Sequence, residues 1–266
     1  MSVHFHGKVA VVTGAGSGIG RALAVKLATR GARLALSDID EAALAVTANL
    51  CDTSDVRCYK LNVADRDAVL AHADDVERDF GAAHHLFNNA GATLVGTFEH
   101  SSLEEIDWQL GINLMGVIYG SKAFLPLMLR QREGCIVNIS SIFGLLGYPA
   151  QSAYNISKFG VRGLTECLWS ELEGSGVCAV CVHPGGIRTN IERTGRRVKL
   201  ANHQETEFVG KAEKMLVTPP EDCAEDILRG VEAGKRRILT GYRSGMVHFI
   251  TRWFPNSYPS LLKYMK

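Results

Sequence analysis

A run of glycines near the amino terminus constrains this chain more than any other feature of its sequence. It reads TGAGSGIG at 13–20 and directly follows the apolar stretch 9–12. Glycines permit a tight turn there and let backbone N–H groups approach an anion, while the N-terminus of a following helix adds partial positive charge. A run of this kind between a strand and a helix is typical of a pyrophosphate cradle. We therefore predict a dinucleotide-binding βα unit at the start of the chain.

Short apolar stretches recur along the chain, with helical stretches between them. The sequence predicts strands at 9–12, 33–36, 85–87, 135–139 and 177–182, and helices at 19–29, 41–50 and 66–80. Apolar strands that alternate with helices are typical of a parallel sheet covered on both faces. We predict a doubly wound α/β fold, the Rossmann fold, as a single domain over 1–266, with a substrate lid at 187–215 and a variable tail at 242–266.

An acidic residue at the end of the second predicted strand bears on the choice of dinucleotide. The carboxylate of Asp38 can accept hydrogen bonds from the adenosine ribose hydroxyls and would repel a 2′-phosphate. Ser17 brings no basic charge into the glycine loop to offset that repulsion. Asp40 lies close by but fits the N-cap of the next helix. The sequence favours NAD, with NADP as the alternative.

Composition and charge exclude several classes of partner. Lysine plus arginine exceed aspartate plus glutamate by one, which gives no electrostatic basis for binding nucleic acid. Residues 1–12 lack the pattern of a signal peptide, and seven scattered cysteines fit reduced thiols better than a disulfide framework. Cys178 and Cys181 form a C-x-x-C string, but their odd offset on a strand sends them to opposite faces, so we expect packing rather than a metal or redox pair. We expect a cytoplasmic protein without a metal.

Two late segments depart from the βα pattern. Residues 192–214 are polar and carry the basic run GRRVK at 195–199, which fits either a solvated face or a mobile lid over a substrate. Residues 245–266 are aromatic and apolar but are interrupted by Arg252, Pro255 and Pro259, so we expect no membrane span. Three roles stay open for this tail: it covers the substrate pocket, forms a subunit contact or touches a membrane surface.

A tyrosine and a lysine stand four residues apart at Tyr154 and Lys158, on one face of a predicted helix. An ammonium that stabilises the phenolate makes a tyrosine hydroxyl usable as a proton carrier near neutral pH. Ser140 and Ser141 follow the strand 135–139, where parallel sheets place ligand-facing groups. A serine hydroxyl there could stabilise charge that develops on a substrate oxygen. Position alone leaves both serines as candidates.

Together these motifs resemble the short-chain dehydrogenase/reductase family. Besides the TGxxxGxG loop and the YxxxK pair, the resemblance includes NNAG at 88–91, Asn113 in the following helix, and Pro184-Gly185 with Thr189. It spans roughly residues 7–190, and 220–241 fit the family's closing helix and strand. Several motifs in one order are more specific than any one of them.

The resemblance implies a role for each catalytic candidate. Tyr154 would be the general acid/base, and Ser141, chosen over Ser140 by the family's spacing, would orient and polarise the substrate oxygen. Lys158 would bind the nicotinamide ribose and favour the phenolate form of Tyr154. Asn113 would anchor a water that relays protons from Lys158. His183 is expected to be structural rather than a base.

The resemblance also implies a set of cofactor contacts. Asn62-Val63, where the family commonly has Asp-Val, would lie beside the adenine, and Tyr154 and Lys158 would contact the nicotinamide ribose. The remaining contacts fall in the glycine loop, at the second strand, after the fourth strand and around the nicotinamide: Gly14, Ser17, Gly18, Ile19, Gly20, Asp38, Asn89, Ala90, Gly91, Pro184, Gly185, Ile187 and Thr189.

We therefore expect an NAD-dependent oxidoreductase that interconverts a secondary alcohol and a ketone. A hydrophobic or lipid-like substrate fits the apolar residues expected near the site, which are Leu94, Val95, Phe143, Leu145, Leu146 and Tyr148. The alternatives are a non-catalytic dinucleotide-binding regulator, an NADP-dependent carbonyl reductase and, on a related fold, a sugar-nucleotide epimerase or dehydratase. Long helices at 103–129 and 152–173 pair across subunits in the family, so the resemblance implies a homodimer or homotetramer.

Overall fold

A computed structural model of the chain describes residues 4–52, 55–191, 195–198 and 215–264. Within these described ranges, nine strands form two sheets. They are β1 (Val9–Thr13), β2 (Arg33–Asp38), β3 (Val56–Lys60), β4 (His85–Asn88), β5 (Leu94–Val95), β6 (Gly134–Ile139), β7 (Val177–Gly185), β8 (Arg196–Arg197) and β9 (Arg237–Gly241). The main sheet is parallel with the order β3-β2-β1-β4-β6-β7-β9, and β5 pairs with β8 in a small second sheet.

Helices lie between the strands of the main sheet and after its last strand, β9. They are α1 (Gly18–Thr29), α2 (Glu41–Leu50), α3 (Arg66–Phe80), α4 (Leu103–Leu110), α5 (Gly116–Gln131), α6 (Ser152–Glu171), α7 (Pro220–Glu232), α8 (Ser244–Trp253) and α9 (Tyr258–Tyr264). A π-helical turn, Gly111–Met115, joins α4 to α5, and a 3-10 helix, Ile142–Gly144, follows β6.

The two faces of the sheet bury separate apolar layers. Ala10 and Val12 of β1 pack beneath α1 and α7, whereas Val9 and Val11 of the same strand pack beneath α3, α5 and α6. All four side chains are fully buried, because each face of a parallel strand is covered by helices. This arrangement confirms the predicted doubly wound α/β fold.

The cysteines of β7 follow the same alternation. Cys178 packs against the layer beneath α1 and α7, and Cys181 is turned to the other face, towards Thr165 of α6. All seven cysteines are free thiols. Among the residues that the structure describes, no group of His, Cys, Asp or Glu is arranged to hold a metal ion.

Several predicted boundaries differ from the observed ones. β3 was not predicted; it is an edge strand whose side chains are half-buried or exposed, so it lacks a continuous apolar run. The predicted helix 103–129 is broken by the π turn and reaches Gln131, and α6 ends at Glu171. β7 runs to Gly185, three residues beyond the predicted end of the strand at 182. Most of the predicted lid, 192–194 and 199–214, lies outside the described residues.

One helical run in the described part of the chain, Leu103–Gln131, is long and apolar enough to cross a membrane. Its second half, α5, packs against α3, β4 and β6. This packing accounts for the apolar composition of the run, because a helix that is buried against a sheet needs apolar residues just as a membrane-spanning helix does. We assign no span to it.

Candidate active site

The strand order reverses beside β1, and a cleft opens there at the carboxyl ends of the strands. From β1 the chain first moves outward to β2 and β3, then returns to β4 and continues to β6, β7 and β9 on the other side. Open α/β sheets bind ligands at such a switch point. The cleft has a volume of about 2000 Å³. That exceeds the roughly 300–1,000 Å³ of an ordinary small-molecule pocket, and gives room for a dinucleotide together with a substrate.

The glycine loop forms the floor at one end of the cleft. Gly14 and Gly18 have φ of +65° and +52°, a conformation that side chains disfavour. A side chain at Gly16 would meet the Asp38 carboxylate at 2.8 Å, and one at Gly18 would meet Thr189 at 3.1 Å. Ser17 begins α1 without a side-chain cap, so the first backbone N–H groups of the helix lack that partner. The bare loop and these N–H groups fit a pyrophosphate.

Asn89 ties the end of β4 to the glycine loop. Its side-chain amide donates to the carbonyl oxygens of Thr13 and Gly14, at 2.9 and 3.2 Å. The Thr13 hydroxyl in turn accepts from the backbone N–H groups of Asn89 and Ala90, both at 3.0 Å. These bonds hold Ala90 and Gly91 at the cleft wall beside the loop.

Backbone groups fix the carboxylate of Asp38 at the edge of the cleft. One oxygen accepts from Gly16 N–H at 2.8 Å and the other from Asp40 N–H at 3.0 Å. Asp40 itself accepts from Ala43 N–H at 3.0 Å and caps α2, as predicted. Asn62 and Val63, just beyond β3, line the same end of the cleft.

Tyr154 and Lys158 lie one helical turn apart on α6 and both line the cleft. The Lys158 ammonium is 5.5 Å from the centre of the Tyr154 ring and donates to the Ile139 carbonyl oxygen at 2.9 Å. Burial lowers the pKa of Lys158 to about 8, because a charged ammonium loses its hydration there. Among the described residues, no carboxylate comes within ion-pair distance of it. The site therefore holds a desolvated cation beside a tyrosine.

The two candidate serines have different hydrogen-bond partners. The Ser140 hydroxyl donates to the Lys158 carbonyl oxygen at 2.8 Å, so its proton is engaged within the protein. The Ser141 hydroxyl accepts from Phe143 N–H at 3.1 Å, which leaves its proton available for a ligand. Both serines reach the cleft, but only Ser141 has a hydroxyl proton to offer a substrate oxygen.

His183 supports the backbone beneath Ser141. Its Nδ1 lies 2.9 Å from the Ser141 carbonyl oxygen, to which the neutral ring donates when the proton is on that nitrogen. Burial lowers the pKa of His183 to about 4, so the imidazole is neutral at physiological pH. The residue does not line the cleft. Its place fits the structural role expected for it.

Asn113 lies in the π-helical turn, behind the wall of the cleft. Its side-chain oxygen accepts from Ala92 N–H and its amide nitrogen donates to the Ala92 carbonyl, both at 2.9 Å. These two bonds hold the segment after Gly91 in place. A π turn also shifts the helical hydrogen-bond ladder by one residue, an irregularity that recurs at functional sites. Both polar atoms of the Asn113 side chain are thus engaged within the protein.

Most predicted cofactor contacts meet in this one cleft. Pro184, Ile187 and Thr189, at and after the end of β7, line it, and Thr189 lies against Gly18 of the glycine loop. Gly20 and Gly185 lie just behind the wall, where a side chain would strike the backbone of Gly14 and of Tyr242, respectively. Those two glycines act through packing.

The substrate end of the cleft contains residues that sequence reasoning missed. Trp108, Met215, Tyr242, Met246 and Val247 line it, and α9 adds two more lining residues, Tyr258 and Pro259. The Tyr258 hydroxyl accepts from Gly147 N–H at 3.0 Å, which fastens the tail across the loop after β6. Tyr258 and Pro259 of the tail thus form part of the pocket wall.

Three of the six apolar residues expected near the site line the cleft itself. Phe143, Leu146 and Tyr148 line the cleft. Leu94, Val95 and Leu145 are instead buried away from it. Pairing of β5 with β8 turns Leu94 towards Val198, while Leu145 packs against Val247 of α8.

Fold and cleft define a dinucleotide-binding oxidoreductase, and comparison with known proteins places it in a family. A family model described as short chain dehydrogenase matches residues 8–199. The oxidoreductase SadH of Mycobacterium tuberculosis is 44% identical over 264 residues, which cover 97% of this chain and 95% of that protein. A 3-alpha-(or 20-beta)-hydroxysteroid dehydrogenase from the same organism is 39% identical over 190 residues, 71% of this chain and 72% of that protein.

A solved structure gives the same result. The crystal structure of a short chain dehydrogenase/reductase from Burkholderia phymatum in complex with NAD has a TM-score of 0.83 and 36% identity, and the match covers 89% of each chain. This chain belongs to the short-chain dehydrogenase/reductase family. It is an oxidoreductase acting on CH–OH groups with a nicotinamide dinucleotide.

Proposed function

We propose that this enzyme interconverts a secondary alcohol and a ketone, with NAD as cofactor and a hydrophobic or lipid-like molecule as substrate. One observation carries the proposal: Ser141, Tyr154 and Lys158 line the same cleft that holds the glycine loop and Asp38 at its other end. A proton carrier, a hydroxyl donor and a dinucleotide cradle are the groups that reversible oxidation of an alcohol needs.

Tyr154 exchanges the proton of the reaction. In the direction of oxidation its phenolate accepts the alcohol proton, and in reduction its hydroxyl returns that proton to the substrate oxygen. The buried Lys158 ammonium stabilises the phenolate, because opposite charges interact strongly where water is excluded. When bound, the nicotinamide supplies the hydride chemistry. Ser141 donates to the substrate oxygen and stabilises the charge that develops there.

Asp38 and its surroundings support NAD as the cofactor. Both carboxylate oxygens are held in place by backbone N–H groups, so the side chain cannot swing away from a 2′-phosphate. The nearest cation on α1, Arg21, donates to the Gly16 carbonyl oxygen and to the Thr47 hydroxyl at 3.0 Å. Its guanidinium is committed to the protein, which leaves the negative charge of Asp38 to repel a phosphate.

An apolar wall supports a hydrophobic substrate. Phe143 and Tyr148 stack with ring centroids 5.5 Å apart on one side, and Met246 and Val247 stand on another. The hydroxysteroid dehydrogenase among the relatives is named for a substrate of this kind. Burial of apolar surface is the main source of affinity in such a wall.

We also propose a homodimer or homotetramer, in the cytoplasm. The outward face of α6 presents Ile156 and Phe159, which are 47% and 41% exposed. Apolar side chains on the outside of a long helix are typical of a subunit contact. Sedimentation velocity of the wild type and of Phe159→Glu tests this: a wild-type monomer contradicts the oligomer, and a variant of unchanged mass contradicts this contact.

The activity is tested by following reduced-nicotinamide absorbance with secondary alcohols graded from short and polar to long and apolar. We expect kcat/KM to rise along the apolar series and to be higher with NAD than with NADP. Asp38→Ser should lower the ratio of kcat/KM with NAD to kcat/KM with NADP at least roughly tenfold, a loss of about 1.4 kcal/mol of discrimination between the two cofactors. Asp40→Ser is the matched control, because that carboxylate caps α2. A wild type that prefers NADP contradicts the cofactor assignment.

A further inference from the structure

The outward face of α8 is apolar where a surface helix ordinarily carries charge. Val247 and Ile250 of this helix are buried against the protein. The opposite side presents Phe249, Trp253 and the adjoining Phe254, which are 58%, 68% and 45% exposed. We call these three residues the aromatic face. The rings of Phe249 and Trp253 are neighbours, with centroids 6.3 Å apart.

Another surface helix shows the ordinary pattern. α7 buries Ile227 and Leu228 and exposes Glu221, Asp222 and Arg229. Scattered exposed apolar residues need no explanation, but three aromatic side chains grouped at the end of one helix mark an interaction surface. The aromatic face is therefore a binding surface for something outside the subunit.

Charge identifies what that partner is. Residues 233–266 contain seven lysines and arginines and no aspartate or glutamate, although the whole chain has a net charge of only +1. The rest of the protein is thus net negative, and this segment, which comprises the turn before β9, β9 itself and the tail, is strongly basic. Arg252 is exposed next to Trp253. α8 packs against β7, β9 and the 3-10 helix, and none of these three elements carries an acidic residue.

The surroundings of His248 on α8 show the same excess of positive charge. Its pKa is lowered by burial and by three guanidinium groups, Arg237, Arg162 and Arg252. The carboxylate in that neighbourhood, Glu166, is shared between Arg162 and Arg237. Three guanidinium groups and one carboxylate of the described residues therefore lie around His248, and Arg252 stands exposed beside the aromatic rings.

This helix also borders the substrate cleft. Met246 and Val247 of α8 line the cleft, as do Tyr258 and Pro259 of α9. The aromatic face and the substrate end of the cleft are therefore two sides of one pair of helices. Whatever binds the aromatic face lies close to where an apolar substrate would enter.

We propose that the aromatic face binds the surface of a bilayer containing anionic lipid, with the substrate end of the cleft beside the membrane. Aromatic side chains concentrate at the interface between headgroups and acyl chains, and neighbouring basic side chains are attracted to anionic headgroups. A short helix with one aromatic and basic side lies in the plane of the interface without crossing it. The substrate class rests on the proposed function, but the membrane contact does not.

A second copy of the chain fits this surface less well. In a two-fold interface the same patch meets itself, so the basic residues of one tail would face those of the other. With no acidic residue in 233–266, nothing within the patch would neutralise them. An anionic surface offers the complementary charge.

The experiment is binding of the full-length enzyme to vesicles, without substrate or cofactor. Vesicles contain either phosphatidylcholine alone or equal parts of phosphatidylcholine and phosphatidylglycerol, and bound protein is measured by co-sedimentation and by tryptophan emission. We expect binding to the anionic vesicles, weakening with salt, and a blue shift of the emission. Phe249→Ser/Trp253→Ser should reduce binding at least about tenfold, and Trp253→Phe should remove the blue shift.

Phe98→Ser is the matched control, since Phe98 is 66% exposed in the loop before α4. It should bind vesicles like the wild type. Thermal midpoints and cofactor affinity of all variants verify that they are folded. Absence of binding to anionic vesicles, or undiminished binding by the double variant, would overturn the proposal. So would a double variant that merely becomes a smaller oligomer, which would identify the face as a subunit contact. Because no turnover is measured, failure here is distinguishable from failure of the proposed activity.

Discussion

Replacing Lys158 with methionine should stabilise the enzyme while removing its activity. Burial lowers the pKa of Lys158 from 10.5 to about 8, so the folded protein bears an unfavourable charge below that pH. The shift corresponds to about 3 kcal/mol at neutral pH, at 1.36 kcal/mol per pKa unit. Methionine loses the bond from the charged ammonium to the Ile139 carbonyl oxygen, worth about 1.5–3 kcal/mol. Lys158→Met should therefore raise the free energy of unfolding at pH 7 by up to about 1.5 kcal/mol.

The difference in stability between Lys158→Met and the wild type should depend on pH. Between about pH 8 and 10.5 the unfolded lysine still binds a proton that the folded one has lost, so wild-type stability gains with rising pH through that window. The methionine variant lacks this gain. Its advantage should shrink by about 2–3 kcal/mol between pH 7 and pH 10, when urea unfolding of the cofactor-free proteins is compared. A variant less stable than wild type at pH 7, or an advantage independent of pH, would refute the reasoning.

Two further pairs of substitutions test the cleft. Ser141→Ala should lower kcat by roughly 10²–10³-fold, because it removes the donor to the substrate oxygen. Ser140→Ala should chiefly lower the free energy of unfolding, by about 1 kcal/mol. Steady-state kinetics and thermal unfolding of both variants distinguish the two effects. If both variants behave alike, the distinction between the serines is wrong. Gly20→Ala puts a methyl group 2.5 Å from the Asn89 amide, so it should weaken NADH binding at least roughly tenfold by fluorescence titration. Gly163→Ala, which meets nothing within 4 Å, is the matched control and should bind NADH normally.

Local signals in the sequence predicted the fold well. The helix expected at 66–80 has those bounds in the structure, because Asp65 caps its first turn and Gly81 ends it with φ of +75°. β3 escaped prediction since an edge strand needs no unbroken apolar run. The π turn around Asn113 was not predicted either, because the apolar periodicity of a helix does not reveal a shift of one residue in its hydrogen bonding.

Features of the site that depend on contacts between residues far apart in the sequence could not be predicted. Ser140 and Ser141 could not be distinguished by position, because the group that engages the Ser140 proton is the Lys158 carbonyl, 18 residues further on. Tyr258 reaches the pocket wall through a bond to Gly147, 111 residues away in the chain. Spacing motifs predict which residues occupy one helix or one loop. They carry no information about which hydroxyl the folded chain leaves with a proton to donate.

The central claim is that Tyr154 carries the proton of a nicotinamide-dependent alcohol oxidation. Tyr154→Phe keeps the ring beside Lys158 and removes only the hydroxyl, so the cleft should remain intact. The direct measurement is a single-turnover experiment with NAD and an active secondary alcohol, beside a fluorescence titration of NADH. We expect NADH affinity within about twofold of wild type and a hydride-transfer rate lower by at least roughly 10²-fold. An undiminished rate in the variant would contradict the account.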